Sequence, residues 1–92
     1  MKVDIYEVKE QIRSAVMRYE HLQIDDDDKS LLASEYQIPA ADFLYILRDL
    51  ERSYGDAVYK VFETNDYSVF SVNNFAKAIS EVCASMVEES RN

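Results

Sequence analysis

The chain has 92 residues, which is enough for one domain with a single modest hydrophobic core and too few for two. Hydrophobic residues make up 48% of it, and with one glycine and one proline it is neither disordered nor rich in tight turns, which favours helices. Its net charge of −8 repels nucleic acid phosphates and anionic membrane surfaces, so neither is an expected partner.

Three features of the chain bear on its compartment. The single cysteine, Cys83, excludes an internal disulfide. The first four residues do not resemble a signal peptide, and no apolar run is long enough to span a membrane. We therefore expect a cytoplasmic protein.

The first predicted helix runs from Val3 to Glu20. Its apolar residues recur every three or four positions, as they do on one face of a helix: Ile5, Val8, Ile12, Val16 and Tyr19. His21, the only histidine, is expected to end this helix, because a positive charge suits the carboxyl end of the helix dipole.

A run of four aspartates, residues 25–28, follows the first helix. Mutual repulsion between adjacent carboxylates disfavours compact structure, so a solvated acidic loop is expected here. In the next segment Leu31, Leu32 and Tyr36 are expected to tuck under the bundle, either as a turn of helix or as an irregular loop.

The second predicted helix runs from Pro39 to Tyr54. Proline fits the first turn of a helix, where its missing N–H would have no partner, and Gly55 is a helix stop. The apolar residues that share one face of this helix are Phe43, Ile46, Leu47, Leu50 and Tyr54.

The segment between residues 56 and 70 has no clear period. Residues 56–62 mix β-branched and aromatic side chains, and no second strand is available to pair with them, so we expect a loop with apolar anchors. A turn of helix is expected near residues 65–69. The last helix is predicted from its N-cap Ser71 to about Val87. Its apolar face consists of Val72, Phe75, Ile79, Val82 and Met86.

These elements predict an all-α fold in a single domain that spans residues 1–92. Three long amphipathic helices and a short or irregular third element form a three- or four-helix bundle. A long acidic loop follows the first helix. We expect the protein to be a monomer.

Two blocks of the chain resemble acyl carrier proteins. Residues 43–54 are similar to the second helix of that family, and residues 70–79 are similar to the start of its fourth helix. The spacing between the blocks is close to that of the family, with a few extra residues around Glu63 to Asp66. The resemblance implies an acyl carrier protein-like helical bundle.

Ala40 lies where acyl carrier proteins have the serine of an Asp-Ser-Leu motif. That serine carries phosphopantetheine through a phosphodiester, and alanine has no hydroxyl oxygen to form one. Other serines are poorly placed, since Ser30 lies too early and Ser53 lies within the second helix. Ser34 is nearer, but Glu35 follows it. We therefore expect no bound phosphopantetheine and no other cofactor.

A narrower resemblance accommodates this alanine. The run Ile38 to Tyr45, with Leu31 and Leu32 before it, is similar to the acyl carrier-related proteins of bacterial peptide maturation systems, which produce bacteriocin-like peptides. The loading serine is often absent from such proteins. The resemblance implies a scaffold that presents the carrier surface to a maturation enzyme or a precursor peptide.

The outward part of the second helix is the candidate partner-binding site, because the resemblance makes it the main recognition surface. Tyr45 lies off the apolar face, and an exposed tyrosine among charges suits a binding hot spot, although a half-buried aromatic residue would give the same pattern. The candidate partner-binding residues are Asp42, Tyr45, Arg48, Asp49 and Arg52.

The sequence predicts neither a metal site nor a catalytic site. An EF-hand loop that started at Asp25 would need glycine where Ser30 stands and glutamate where Tyr36 stands. His21 has no second ligand or nucleophile at a suitable spacing. Cys83 lies at the edge of a core stripe, where a free cysteine acts as a small apolar residue. We expect a protein that is not an enzyme.

Taken together, these features favour a non-enzymatic interaction scaffold in a bacterial peptide maturation system. Two alternatives stay open. One is a working acyl or aminoacyl carrier that is loaded at another serine. The other is an acidic regulator or nucleic acid mimic that binds a basic protein through the aspartate run.

Overall fold

The computed structural model describes residues 3–65 and 69–90 of the chain. These residues form four α-helices and a 3₁₀ turn: α1 Ile5–Glu20, the turn Ser34–Tyr36, α2 Ala40–Tyr54, α3 Ala57–Thr64 and α4 Val72–Ser90. Within these two ranges no strand forms, and one isolated antiparallel bridge joins Ser30 to Ser71. The predicted all-α class and the helical bundle are therefore confirmed for this part of the chain.

Capping groups set both ends of helix α1. The Asp4 side chain accepts a hydrogen bond from the Tyr6 N–H at 2.9 Å, so the helix begins two residues later than the predicted Val3. His21 ends the helix with a left-handed φ of 52°, and its N–H donates to the Met17 carbonyl. The prediction that His21 ends α1 is confirmed.

Helix α2 begins one residue later than predicted. Pro39 has extended backbone and precedes the helix as its N-cap, and Ala40 is the first helical residue. Gly55 ends the helix with φ 62° and ψ −146°, a conformation that glycine adopts without the clash a Cβ would cause. The predicted apolar face is buried at Phe43, Ile46, Leu47 and Leu50, whereas Tyr54 is half-buried.

The expected loop over residues 56–62 is wrong, because this segment forms helix α3. Ala57, Val58 and Val61 share one helical face and are fully buried, so core packing overrides the strand preference of the β-branched Val58 and Val61. Asn65 ends the helix, and its N–H donates to the Val61 carbonyl at 3.1 Å. The expected turn near residues 65–69 falls largely on residues 66–68, which lie outside the described residues.

Helix α4 starts at the predicted cap. The Ser71 Oγ accepts a hydrogen bond from the Asn74 N–H at 3.1 Å, and the helix continues three residues beyond the predicted Val87, to Ser90. Its buried apolar face includes Val72, Phe75, Ile79 and Cys83. Helix α4 packs against α1 and α3, and α2 also packs against α1 and α3, which closes the bundle.

The aspartate run lies in a loop, as predicted, and Asp25, Asp26 and Asp28 are exposed, but two contacts with the helices hold this loop in place. Asp27 is half-buried and forms an ion pair with Arg13 of α1, whose Nε donates to Asp27 Oδ1 at 3.2 Å. Asn73 in the first turn of α4 donates from its side chain to Asp28 Oδ1 at 2.6 Å. A guanidinium and the amino end of a helix thus offset part of the repulsion between the carboxylates, and only Asp27 of the four is half-buried.

The segment after the aspartate run is attached to the bundle through Leu31. Leu31 is buried, and its N–H donates to the Phe70 carbonyl at 2.9 Å. The expectation that it tucks under the bundle is confirmed, and Tyr36 is half-buried. Leu32 does not tuck under the bundle, since it is 46% exposed.

All four phenylalanines of the chain form one cluster. Phe70 lies at its centre, with ring centroids 5.2 Å from Phe43 of α2, 5.2 Å from Phe62 of α3 and 5.5 Å from Phe75 of α4. Tilted and edge-to-face pairs at this distance add to the burial of apolar surface. Phe70, which lies in the segment before α4, therefore connects three helices.

The Phe70→Ala substitution should destabilise the fold by about 3–5 kcal/mol, because it removes a buried ring and leaves a cavity between three helices. Urea denaturation of both proteins measures this free energy of unfolding. Leu44→Ala is the control, since Leu44 is 61% exposed and its loss should stay near about 0.5 kcal/mol. Equal losses in the two variants would contradict the central role of Phe70. Phe70→Leu, with an intermediate loss, replaces Phe70→Ala if the latter does not fold.

Candidate functional site

Helices α1 and α2 meet along an antiparallel seam of polar and aromatic side chains. Arg18 of α1 forms an ion pair with Asp49, and Glu20 lies against Asp42. Between these pairs, Tyr19 of α1 stacks on Tyr45. Successive residues of α1 thus contact α2 residues that run in the opposite direction. Three of the predicted partner-binding residues, Asp42, Tyr45 and Asp49, lie in this seam, and Tyr45 and Asp49 hold α1 against α2.

Tyr45 belongs both to this seam and to the protein surface. Its ring centroid lies 5.9 Å from that of Tyr19, with an interplanar angle of 24°. The side chain is nevertheless 52% exposed, as predicted from its position off the apolar face. Stacking on Tyr19 fixes the orientation of an exposed aromatic ring, which reduces the entropy lost when a partner covers it.

Asp49 is largely enclosed by its neighbours. Its side chain is 10% exposed and forms ion pairs with two guanidinium groups, that of Arg18 and that of Arg52, whose Nη1 lies 3.5 Å from Asp49 Oδ1. The Arg52 side chain is 80% exposed. Asp49 is therefore occupied within the protein, while Arg52 extends into solvent.

Arg48 is exposed and forms no ion pair with any residue that the structure describes. It lines a surface cleft of about 380 Å³ with Leu44, Tyr45, Ala41 and, from α3, Tyr59. We call this depression the Arg48 cleft. A cation that pairs with no carboxylate in the described part of the chain, and that lies beside apolar surface, is available to an external carboxylate.

A second cleft lies on the other side of Leu44 and also has a volume of about 380 Å³. Its lining is almost wholly apolar and comes from the segment before α2, from α2, from α3 and from the segment before α4: Leu32, Ala40, Phe43, Leu44, Leu47, Phe62 and Phe70. We call it the Ala40 cleft. The phenylalanine cluster supplies three of these side chains, so the core itself forms part of the cleft wall.

Ala40 is exposed, and it belongs both to the first turn of α2 and to the Ala40 cleft. Its methyl group offers no nucleophilic oxygen. Among the other serines considered for loading, the Ser30 Oγ accepts a local hydrogen bond from the Leu32 N–H at 3.1 Å. Ser34 starts the 3₁₀ turn, and Ser53 is exposed near the end of α2.

Glu20 and Asp42 bring two carboxyl groups together at the carboxyl end of α1. A hydrogen bond with Asp42, burial and the Asp42 charge raise the pKa of Glu20 from 4.5 to about 7. Glu20 Oε1 is buried and has no hydrogen-bond partner among the residues that the structure describes. A hydrogen bond between the two carboxyls requires a proton on one of them, so protonation of Glu20 stabilises this contact.

The remaining reactive groups are poorly suited to catalysis. Burial raises the pKa of the Cys83 thiol, which disfavours the nucleophilic thiolate. Burial also raises the pKa of Tyr54 to about 12, so its hydroxyl stays protonated at neutral pH. Within residues 3–65 and 69–90, no group of three or more histidine, cysteine or acidic side chains could hold a metal ion.

Comparisons with known proteins find no relative of this chain. No protein-family model, no curated protein and no solved structure matches it. Among the described helices, none is both long enough and apolar enough to cross a membrane. The function must therefore be inferred from the residues of the chain itself.

Sequence reasoning identified the charged and aromatic residues of α2 but missed the clefts. Leu44 is the residue between them, and its 61% exposure follows from its position off the buried face of α2. That position is visible in the helical period. Tyr59 could not be assigned to the site, because α3 was expected to be a loop. The depth of the clefts depends on packing between α2 and α3.

The Glu20→Gln substitution should stabilise the protein at alkaline pH. The fold raises the pKa of Glu20 to about 7. The stabilisation that protonated Glu20 gives the folded state is therefore fully present below pH 4.5 and is lost as the pH rises through 7. Glutamine cannot ionise and can donate to Asp42. The variant should gain about 1 kcal/mol over wild type between about pH 5 and pH 8, after allowance for solvent screening.

Urea denaturation at the two pH values measures this difference in the free energy of unfolding. Glu63→Gln is the matched control, because Glu63 is exposed on α3 and forms no ion pair with any described residue. An advantage of Glu20→Gln that did not grow with pH, or that the control reproduced, would contradict the proposed carboxyl pair.

Proposed function

We propose that this protein is a non-enzymatic, acyl carrier-related interaction module of a bacterial peptide maturation system. It docks on a maturation enzyme or a precursor peptide through the outer face of α2 and carries no phosphopantetheine at position 40. The observation that supports this most is the exposed group Leu44, Tyr45 and Arg48, because these side chains form a continuous surface that the core does not bury.

Exposed apolar and cationic side chains of this kind suit a binding surface. Isolated exposed leucines are common on proteins, but here the exposed Leu44 lines two clefts, and the exposed Tyr45 and Tyr59 line one of them with it. Tyrosine and arginine are enriched among the residues that dominate binding energy. The stacking of Tyr45 on Tyr19 and the packing of α2 on α1 give this surface a fixed shape.

The chemistry of position 40 supports a scaffold more than a loaded carrier. Phosphopantetheine transfer needs a hydroxyl at the start of the second helix, and Ala40 presents a methyl group there. The outer face of α2 remains intact beside it, with Arg48 and Arg52 extended into solvent. A chain that lost only its attachment point would keep its docking surface.

The order of the aspartate run argues against the acidic regulator. Asp27 and Asp28 are already engaged by Arg13 and Asn73, so a basic partner would have to compete with internal contacts for half of the run. Binding through α2 requires no such competition.

Mass spectrometry of the intact protein tests whether the chain is a scaffold or a loaded carrier. Incubation with coenzyme A and a broad-specificity phosphopantetheinyl transferase should leave the wild-type mass unchanged, because Ala40 lacks a nucleophile. The matched variant Ala40→Ser should gain one phosphopantetheine, because it restores the hydroxyl on a carrier-like helix.

Each protein in this experiment tests a different part of the proposal. A phosphopantetheine on the wild-type chain would disprove the unloaded scaffold and would indicate loading at another serine. Failure of Ala40→Ser to accept the group, while an ordinary carrier protein in the same tube is loaded, would count against the carrier-like identity.

A further inference from the structure

We propose that the Arg48 cleft and the Ala40 cleft together bind one acidic peptide segment, which places a large apolar side chain in each cleft and a carboxylate on Arg48. This inference rests on the proposed function and specifies the partner chemistry of the same face of α2. It follows from the spacing of residues around Leu44, from the small size of two alanines and from the charge at Arg48.

Helical spacing places one cleft on each side of Leu44. On one side of Leu44 lie Ala40, four residues before it, and Leu47, three residues after it. On the other side lie Ala41, three residues before it, and Arg48, four residues after it. The linings of the two clefts follow this division. Leu44 is thus a ridge between two depressions of about 380 Å³ each.

Two alanines leave the space that a partner would fill. Ala40 and Ala41 occupy the first turn of α2, and both are exposed. Any larger side chain at either position would project into the cleft that it lines. Each cleft has a volume of about 380 Å³, which is large enough to admit a leucine or phenylalanine side chain.

The charge at the clefts selects an acidic segment. Arg48 lines one cleft and has no ion-pair partner among the described residues, and Arg52 is mostly exposed one turn further along α2. The net charge of the chain is −8, but charges more than about 8 Å away are largely screened at physiological salt. A carboxylate in contact with Arg48 is therefore favoured, whereas a lysine there is repelled.

Separate clefts fit two side chains better than one hydrocarbon chain. The exposed Leu44 side chain divides the apolar surface, so a linear acyl chain would have to cross a ridge to use both depressions. A peptide can span the ridge with its backbone and place alternate or helically spaced side chains on either side.

Selection from a phage library of random twelve-residue peptides on the immobilised protein tests this chemistry. The enriched peptides should contain two large apolar residues and at least one aspartate or glutamate. Fluorescence anisotropy with the most enriched peptide then measures its affinity for the variants Ala40→Trp, Ala41→Trp and Arg48→Glu. Each should weaken binding by about ten-fold or more, because it fills a cleft or reverses the charge.

Ala84→Trp is the matched control, since Ala84 is exposed on α4 and lies outside both clefts. It should leave the affinity within about two-fold of wild type. Far-ultraviolet circular dichroism shows whether each variant keeps its helices. A variant that loses them is replaced at the same position by leucine for Ala40 and Ala41, or by glutamine for Arg48, with the same expected direction.

Several results would overturn the inference. These are a failure to enrich any peptide, enrichment of lysine and arginine, or an affinity that the cleft variants leave unchanged. Binding of a fluorescent fatty acid at the clefts without binding of any peptide would also overturn it. The transferase experiment tests the unloaded scaffold independently of peptide binding. A failure of this inference is therefore distinguishable from a failure of the proposed function.

Discussion

The ring of Phe70 is the contact on which the rest of the structure depends. This ring contacts Phe43, Phe62 and Phe75, and it therefore joins α2, α3 and α4. The backbone carbonyl of Phe70 also accepts a hydrogen bond from the Leu31 N–H. A chain of this length has a single modest core, so one aromatic cluster has a large share of it. Because Phe70 also lines the Ala40 cleft, the same packing that stabilises the bundle shapes its candidate binding surface.

The outer face of α2 has two roles that the structure separates. Tyr45 stacks on Tyr19 and Asp49 pairs with Arg18, so these two residues position α2 on α1, while Leu44, Arg48 and the exposed part of Tyr45 remain available to a partner. A loaded carrier would need a hydroxyl at position 40, and the alanine found there instead leaves an open apolar depression. The residues near position 40 thus support recognition without a covalent step.

The long helices were predictable because their apolar residues follow the helical period, as at Val8, Ile12 and Val16. Helix α3 was not, since a segment of eight residues rich in β-branched and aromatic side chains has no period that separates helix from loop. The order of the aspartate run was missed because Arg13 and Asn73 are distant in sequence. The exposure of Tyr45 was predicted from its position on α2, but the clefts required knowledge of how α3 packs.

Site-specific photocross-linking in the native cell tests most directly whether the outer face of α2 is the docking surface. A photoreactive phenylalanine derivative replaces Leu44 in one version of the protein and Asp26 in another, and mass spectrometry identifies what each captures. Our account predicts that position 44 captures a maturation enzyme or a precursor peptide and that position 26 does not. Capture of a basic protein at position 26, with none at position 44, would contradict it.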